Sequence, residues 1–145
     1  GGAIGLATLR RDGFASMDAG GKEGTLTTRL VRFTGEHLFV NAAAKGGELR
    51  VEVLDERDRV IVPYTRKNSV ALRSDATIAG MKWKSRSDLG SLVGKPVKFR
   101  FYLKNGSLYS FWVSKETSGA SHGYVAAGGP GLTGPTDTVG TGAYQ

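Results

Sequence analysis

The sequence predicts an all-β protein, a two-sheet antiparallel β-sandwich of the jelly-roll or concanavalin-like kind, and three observations support that prediction. Glycine supplies 22 of the 145 residues, about twice its average share of roughly 7%, and glycine suits tight turns better than regular elements. Polar and apolar residues alternate along several short segments, as they do in strands with one buried face. Turn residues separate these segments at the spacing of a sandwich rather than of a βαβ fold.

The clearest strands are two segments in which the alternation is unbroken, residues 48–54 and residues 97–103. Because successive side chains of a strand point to opposite faces, Phe99 and Phe101 would face the core and Tyr102 would point outward. The same pattern predicts shorter strands at residues 4–9, 13–17, 24–28, 30–33, 37–41, 70–72, 77–83 and 108–113.

The connections follow from turn chemistry. Asn105-Gly106 supplies the positive φ angles of a type I′ turn, which predicts a hairpin between residues 97–103 and 108–113. The charged run at residues 55–59 directly follows a strand and is interpreted as a solvated turn. Only residues 87–93 suggest a helix.

Composition divides the chain into a folded body, residues 1–117, and a Gly/Pro-rich irregular tail, residues 118–145. The chain opens on Gly1-Gly2 without an initiator Met, which favours either an excised fragment or a processed chain. If it is a fragment of a longer protein, we expect the missing part to carry the chemistry. There is no cysteine, no apolar stretch long enough for a membrane span and no signal peptide. We therefore expect no membrane partner.

The formal net charge of +7 raises the question of nucleic acid. The cations occur singly along the chain and many alternate with acidic residues, a distribution more typical of a solvated surface. The expectation is a protein that does not bind nucleic acid.

A search for catalytic groups finds no recognisable set. His37 is placed at the start of a strand and His122 in the tail, and neither has the spacing of a metal ligand or of a catalytic triad. The acidic residues lie at strand ends and in turns rather than as a glycosidase pair. The sequence thus predicts a non-enzymatic domain without a cofactor, although loop oxygens could hold a structural calcium ion.

Recognition by aromatic side chains is the remaining chemistry, because the C–H faces of sugars stack on aromatic rings while planar polar groups bond their hydroxyls. Trp83 and Tyr64 are the candidate stacking platforms, each within a run of polar and cationic residues. Arg66, Lys82 and Asp75 are the candidate hydroxyl partners. The alternative for Trp83 is packing in the core of the sandwich.

Several segments in a fixed order also resemble the C-terminal β-sandwich of bacterial, Planctomycetes-type proteins whose N-terminal part is a β-propeller glycoside hydrolase of the family 32/43 or sialidase-like kind. The resemblance covers most of residues 4–113 and rests on residues 9–19 (LRRDGFASMDA), 24–28 (GTLTT), 38–41 (LFVN), 47–55 (GELRVEVLD), 83–89 (WKSRSDL), 92–101 (LVGKPVKFRF) and 108–111 (LYSF). It implies an accessory domain beside a catalytic propeller, in a secreted, periplasmic or cell-surface protein. It transfers no site.

Three functions are compatible with these observations. The first is a carbohydrate-binding module that recognises a polysaccharide or oligosaccharide through Trp83 and Tyr64. The second is a structural domain that buttresses the catalytic propeller without binding sugar, and that should expose an apolar patch. The third is an unrelated adhesion, phage or surface-layer sandwich.

Overall fold

A computed structural model of the chain describes residues 1–125 and 131–144 and contains two antiparallel β-sheets. The seven strands are β1 (Met17–Ala19), β2 (Gly24–Thr27), β3 (His37–Ala43), β4 (Glu48–Leu54), β5 (Asp75–Gly80), β6 (Lys98–Lys104) and β7 (Gly106–Ser114). One sheet has the order β1-β7-β3-β5 and the other has the order β2-β6-β4. The described residues contain no α-helix, only the 3₁₀ turns Gly90–Leu92 and Gly140–Tyr144. The predicted all-β, two-sheet sandwich is confirmed, while its jelly-roll or concanavalin-like connectivity stays a prediction.

The core lies between the two sheets. In β6 the alternation is as expected, with Phe99 and Phe101 buried and Tyr102 on the outer face. Phe111 of β7 lies across the sandwich, its ring centroid 5.8 Å from that of Phe99 and 5.2 Å from that of Phe101. Phe33 stacks on the other side of Phe99 at 5.8 Å. These four rings pack the two sheets together, and aromatic pairs of this kind prefer offset or edge-to-face arrangements.

The predicted hairpin at Asn105-Gly106 is wrong. β6 pairs with β2 and β4, and β7 pairs with β1 and β3, so the two strands belong to different sheets. Asn105 adopts a positive φ of 47° and alone connects them. Because both hydrogen-bonding edges of β6 are already occupied within its own sheet, the chain crosses to the opposite sheet at this point.

Other local predictions are confirmed, shifted or wrong. Confirmed within a few residues are the strands predicted at 24–28, 37–41, 48–54, 97–103 and 108–113. The strand predicted at 77–83 begins and ends earlier, as β5. Residues 30–33 and 70–72 contribute only single bridges, Val31 opposite Val97 and Leu72 opposite Leu49.

In place of the helix predicted at residues 87–93, the structure has only the 3₁₀ turn Gly90–Leu92. Asp88 contributes to the start of this turn, since its Oδ1 accepts a hydrogen bond from the Gly90 N–H at 3.0 Å. Gly94 follows with φ of +74°, a conformation that favours glycine. The short stretch between the two leaves no room for a longer helix.

Both faces of the four-stranded sheet are covered. Leu38 and Val40 of β3 face the core, while Phe39 and Asn41, which point the other way, are also buried. Phe39 stacks on Trp112 of β7, its register partner, with ring centroids 5.8 Å apart. The cover over this outer face comes from the N-terminal segment and from the described part of residues 118–145; residues 126–130 and 145 of the predicted tail lie outside the described residues.

The N-terminal segment contacts the four-stranded sheet through Arg10 and Arg11. Arg10 donates from Nε to Asn41 Oδ1 (2.6 Å), and its guanidinium lies 4.7 Å from the centroid of the Tyr109 ring. The strands predicted at residues 4–9 and 13–17 are wrong, because this stretch forms no strand before Met17. It exposes large apolar side chains to solvent: Ile4, Leu6, Leu9, Phe14 and Met17.

The burial of Trp83 leads to a stability prediction. Trp83→Ala is expected to lower the free energy of unfolding by about 3–5 kcal/mol, because it removes a large side chain that is only 3% exposed and leaves a cavity. Phe14→Ala, at a ring that is 89% exposed, is the matched control and should change that free energy by less than about 0.5 kcal/mol. Urea unfolding of both variants measures the difference. Equal losses in the two variants would contradict the assignment of Trp83 to the core.

Candidate ligand-binding cleft

A cleft of about 480 Å³ opens where the outer face of the four-stranded sheet meets the residues that follow β7. It lies between the start of β3, the end of β5, the turn that follows β5 and two segments near the C-terminus. Its lining consists of His37, Leu38, Phe39, Ile78, Gly80, Met81, Lys82, Ser87, Thr117 and Thr141.

The floor of the cleft is apolar and its rim is polar. Phe39 and Ile78 supply the floor, and Phe39 faces Gly80 in the register of β3 and β5. The ring of Phe39 lies 3.5 Å from the position that a Cβ on Gly80 would occupy. Phe39 itself is only 6% exposed, so the half-buried side chain of Ile78 supplies the main apolar surface that a ligand in the cleft can reach.

The segment around Gly119 crosses Phe39 and Trp112 and forms one wall of the cleft. The Trp112 indole N–H donates to the carbonyl of Gly119 at 3.0 Å, which fixes the height of that segment above the sheet. Gly119 has φ of +75°, and a Cβ there would lie 2.8 Å from the Phe39 ring and 2.9 Å from Ile78. Only glycine can pass this close to the sheet. Thr141 joins the wall through its N–H, which donates to the Ser118 carbonyl at 2.8 Å.

Hydrogen bonds to the buried side chain of Asp137 hold the wall around Gly119 in place. This side chain is fully buried and accepts hydrogen bonds from the backbone N–H groups of Gly140 (2.8 Å) and Ser121 (3.1 Å). Arg11 Nη2 forms an ion pair with Asp137 Oδ2 at 2.7 Å, so the N-terminal segment and the C-terminal residues meet here. Burial by itself would raise the pKa of the Asp137 carboxyl. The two N–H groups and the guanidinium lower the pKa by more than burial raises it, so its value is about 2.

The rim presents hydrogen-bonding groups of the kind that recognise hydroxyl or anionic ligands. Lys82, Ser87, Thr117 and Thr141 are exposed, and the His37 imidazole is half-buried. An apolar floor beside a few polar groups is the usual composition of a small-molecule site. The cleft can therefore hold a ligand whose apolar face lies on Phe39 and Ile78 while its polar groups meet the rim.

One acid–base pair lies outside the cleft. His122 Nε2 is 3.0 Å from Glu116 Oε2, and this hydrogen bond lowers the pKa of the Glu116 carboxyl. The Ser114 hydroxyl donates to the Ala120 carbonyl at 2.7 Å, and its oxygen lies 3.3 Å from the same carboxylate and makes no contact with the imidazole. Within the described residues no hydroxyl contacts His122, so the pair lacks the nucleophile of a triad.

The structure overturns the prediction that Trp83 and Tyr64 are stacking platforms. Trp83 is 3% exposed and Tyr64 is 1% exposed, and they contact each other edge to face with ring centroids 5.1 Å apart. Trp83 Nε1 donates to the Val51 carbonyl at 3.2 Å, and the Tyr64 hydroxyl bonds Ser91 Oγ at 2.8 Å. Both polar groups are satisfied internally, so the rings are core residues and neither presents a face to a sugar.

The other predicted site residues are separated. Arg66 lies on the outer face of the three-stranded sheet, 4.5 Å from the centroid of the Tyr102 ring, and pairs with Glu23 at 2.6 Å. Asp75 begins β5 and pairs with Arg10 at 2.5 Å. Lys82 alone lies at the cleft. The five predicted residues therefore do not form one site.

The outer face around Arg66 contains a second polar network. Glu52 is 6% exposed, and it accepts hydrogen bonds from the Tyr102 hydroxyl (2.5 Å) and from the Arg66 backbone N–H (3.2 Å). Arg100 Nη1 lies 3.4 Å from the same carboxylate. Burial and the bond to Glu52 raise the pKa of Tyr102. These groups are engaged with one another, which makes the face a structural network.

Sequence reasoning missed most of the rim. His37 was expected to be an ordinary residue at a strand edge, and Thr117 and Thr141 carry no local signal. They meet because the C-terminal segment folds back over β3, a long-range contact that no sequence motif announces. The glycine at position 119 and the apolar pair Phe39 and Trp112 are the only local hints.

The described residues contain no group of three or more His, Cys, Asp or Glu side chains that could hold a metal ion. In the same part of the chain, no helix is long and apolar enough to span a bilayer. No protein-family model, no curated protein and no solved structure matches the chain.

Asp137 gives a pH-dependent prediction. Asp137→Asn should lower the free energy of unfolding by about 2 kcal/mol at pH 6, since the carboxyl's pKa falls from 3.8 to about 2 on folding and each pH unit of that difference is worth about 1.4 kcal/mol. A carboxyl whose pKa is lower in the folded state stabilises the fold at pH values above its pKa in the unfolded state. The difference between wild type and variant should thus be complete above about pH 4 and shrink as the pH falls toward 2.

Urea unfolding at pH 6, 4 and 3 measures that difference. Glu56→Gln, at an exposed carboxylate without a bond in the described residues, is the control and should show almost no difference at any pH. A gap between wild type and Asp137→Asn that stays constant over this range would contradict the role given to the carboxylate.

Proposed function

We propose that this chain is a non-catalytic accessory β-sandwich that docks against a catalytic neighbour in a longer, secreted or cell-surface protein. The neighbour suggested by the resemblance is a β-propeller glycoside hydrolase. The observation that supports docking is the apolar N-terminal segment, in which the side chains of Ile4, Leu6 and Phe14 are almost completely exposed. Soluble domains seldom leave such a run of large apolar side chains in water, and these runs commonly mark interaction surfaces.

The pattern of this segment indicates how it would dock. Residues 4–9 have the composition of a strand but pair with no strand of this sandwich. They precede β1, which is an edge strand of the four-stranded sheet. An extended apolar segment of this kind gains both hydrogen bonds and burial when it adds to the edge of another sheet. This arrangement would join the sandwich rigidly to its neighbour.

Hydrogen exchange tests the docking proposal. In the isolated 145-residue chain the amides of residues 4–9 should exchange at rates close to those of an unstructured peptide, because no strand protects them. In the longer protein that contains the hydrolase domain they should be protected at least about 100-fold, as paired strand amides are. The exposed loop at residues 55–59 is the internal control and should exchange alike in both proteins. Absence of added protection in the longer protein would overturn the proposal.

A second candidate function is glycan binding at the cleft, and the specific observation in its favour is the apolar floor of Phe39 and Ile78 beneath the polar rim. This geometry replaces the stacking by Trp83 and Tyr64 expected from the sequence. The half-buried Ile78 side chain, the more accessible residue of the floor, can pack against the C–H face of a sugar ring while Lys82, Thr117 and Thr141 bond its hydroxyls.

Titration calorimetry with a panel of plant, algal and fructan oligosaccharides tests this candidate. Thr141→Val should weaken the affinity for any oligosaccharide that binds by about 5- to 10-fold, the effect of removing one or two hydrogen bonds. Thr25→Val, at an exposed threonine on β2, should leave the affinity unchanged. Failure of every oligosaccharide to bind, or equal effects of the two variants, would remove this candidate and leave the docking proposal intact.

A further inference from the structure

Four exposed cations gather around the turn that contains Trp83. They are Lys67, Lys82, Lys84 and Arg86, which we call the Trp83 patch. Three of them are near one another in sequence, and Lys67 directly precedes Asn68, whose carbonyl accepts a hydrogen bond from the Lys84 N–H. The chain as a whole carries 20 Lys and Arg against 13 Asp and Glu, and this patch is a place where the excess is concentrated.

The backbone holds the patch together. The segment after Tyr64 runs antiparallel to the segment after β5, with Ser69 opposite Trp83 in an isolated bridge. The Val70 N–H donates to the Lys82 carbonyl and the Lys84 N–H donates to the Asn68 carbonyl, both at 2.8 Å. Ser69 and Trp83 are buried, so Lys82 and Lys84 alternate to the opposite, solvent-facing side.

The charges of the patch are not neutralised within the described residues. None of its four side chains makes a hydrogen bond or an ion pair there, whereas Arg66, Arg73 and Arg100 each contact a carboxylate. The carboxylate closest in sequence, that of Asp88, accepts from the Gly90 N–H at 3.0 Å instead. Four uncompensated cations on one small surface raise the local positive potential and favour a polyanionic partner.

We propose that the Trp83 patch binds an anionic polysaccharide, one that carries sulfate or carboxylate groups. The proposal rests on the second candidate function, because Lys82 belongs both to the patch and to the rim of the cleft, and Ser87 of the rim directly follows Arg86 of the patch. A chain with one sugar in the cleft would continue directly over the patch. Val70, which is 52% exposed between the cations, offers apolar surface to a sugar ring.

The geometry favours a polysaccharide over nucleic acid. Proteins that hold single-stranded nucleic acid present aromatic rings on which bases stack. The rings nearest the patch, those of Trp83 and Tyr64, are in the core. Proteins that read duplex DNA commonly insert an α-helix in the major groove, and the described part of the chain has no α-helix.

The test compares two triple variants with the same change in net charge. Lys82→Gln/Lys84→Gln/Arg86→Gln removes three cations of the patch. Lys45→Gln/Arg57→Gln/Lys95→Gln removes three exposed cations elsewhere whose side chains make no bond within the described residues. The probes are dextran sulfate, polygalacturonate, uncharged dextran and a 20-nucleotide oligothymidylate, with affinities measured by calorimetry in 50 and 200 mM NaCl.

The wild-type protein should bind dextran sulfate or polygalacturonate more tightly than dextran, and more weakly at the higher salt concentration. The first triple variant should lose at least about 10-fold in affinity for that polyanion, and the second should lose less than about 2-fold. Which of the two polyanions binds more tightly identifies sulfate or carboxylate as the recognised group.

Three results would overturn the proposal. Equal losses in the two triple variants would show a response to net charge alone. Tighter binding of the oligothymidylate than of either polyanion would assign the patch to nucleic acid. Binding of dextran or of a neutral oligosaccharide with no gain for the polyanions would refute the patch while the cleft keeps its function, which distinguishes this failure from that of the second candidate.

Discussion

The outer face of the four-stranded sheet is apolar where most sandwiches are polar, and the rest of the structure depends on covering it. Phe39 and Trp112 stack side by side on this face, on the two central strands of the sheet. Burying two aromatic rings is worth several kcal/mol, but only if another segment lies over them. Gly119 meets this requirement because it has no side chain, and the cleft is the space left beside it.

Covering that face also buries polar groups, which must then be paired. Asn41 lies beside Phe39 on the same face, and it is bonded by Arg10 and donates to the Arg11 carbonyl. Asp137 is buried with Arg11 as its ion partner. A buried carboxylate without such partners would be strongly destabilising, so the N-terminal and C-terminal segments depend on each other for their positions.

Some charged side chains at the surface bond one another, whereas others have no ionic partner within the described residues. On the outer face of the three-stranded sheet, Glu52 holds Tyr102 and Arg100 in a closed network. At the Trp83 patch the cations have no acidic partner in the described residues. The apolar residues of the N-terminal segment are a third surface of different chemistry. The groups of the polar network satisfy one another, whereas the unbalanced charge patch and the exposed apolar segment are the two surfaces on which the proposed partners, one anionic and one apolar, would bind.

The sequence by itself determined the all-β class, most of the strands and the inward direction of Phe99 and Phe101, because strand alternation is a local property of the backbone. It also indicated that Tyr102 points outward. Tertiary structure alone decided that β6 and β7 belong to opposite sheets, since pairing depends on which strand edges are already occupied. It likewise decided that Trp83 is a core residue and that the segment containing Lys67 lies beside Lys84. A tryptophan flanked by cations looks the same in sequence whether its ring faces solvent or the core, and only packing distinguishes the two.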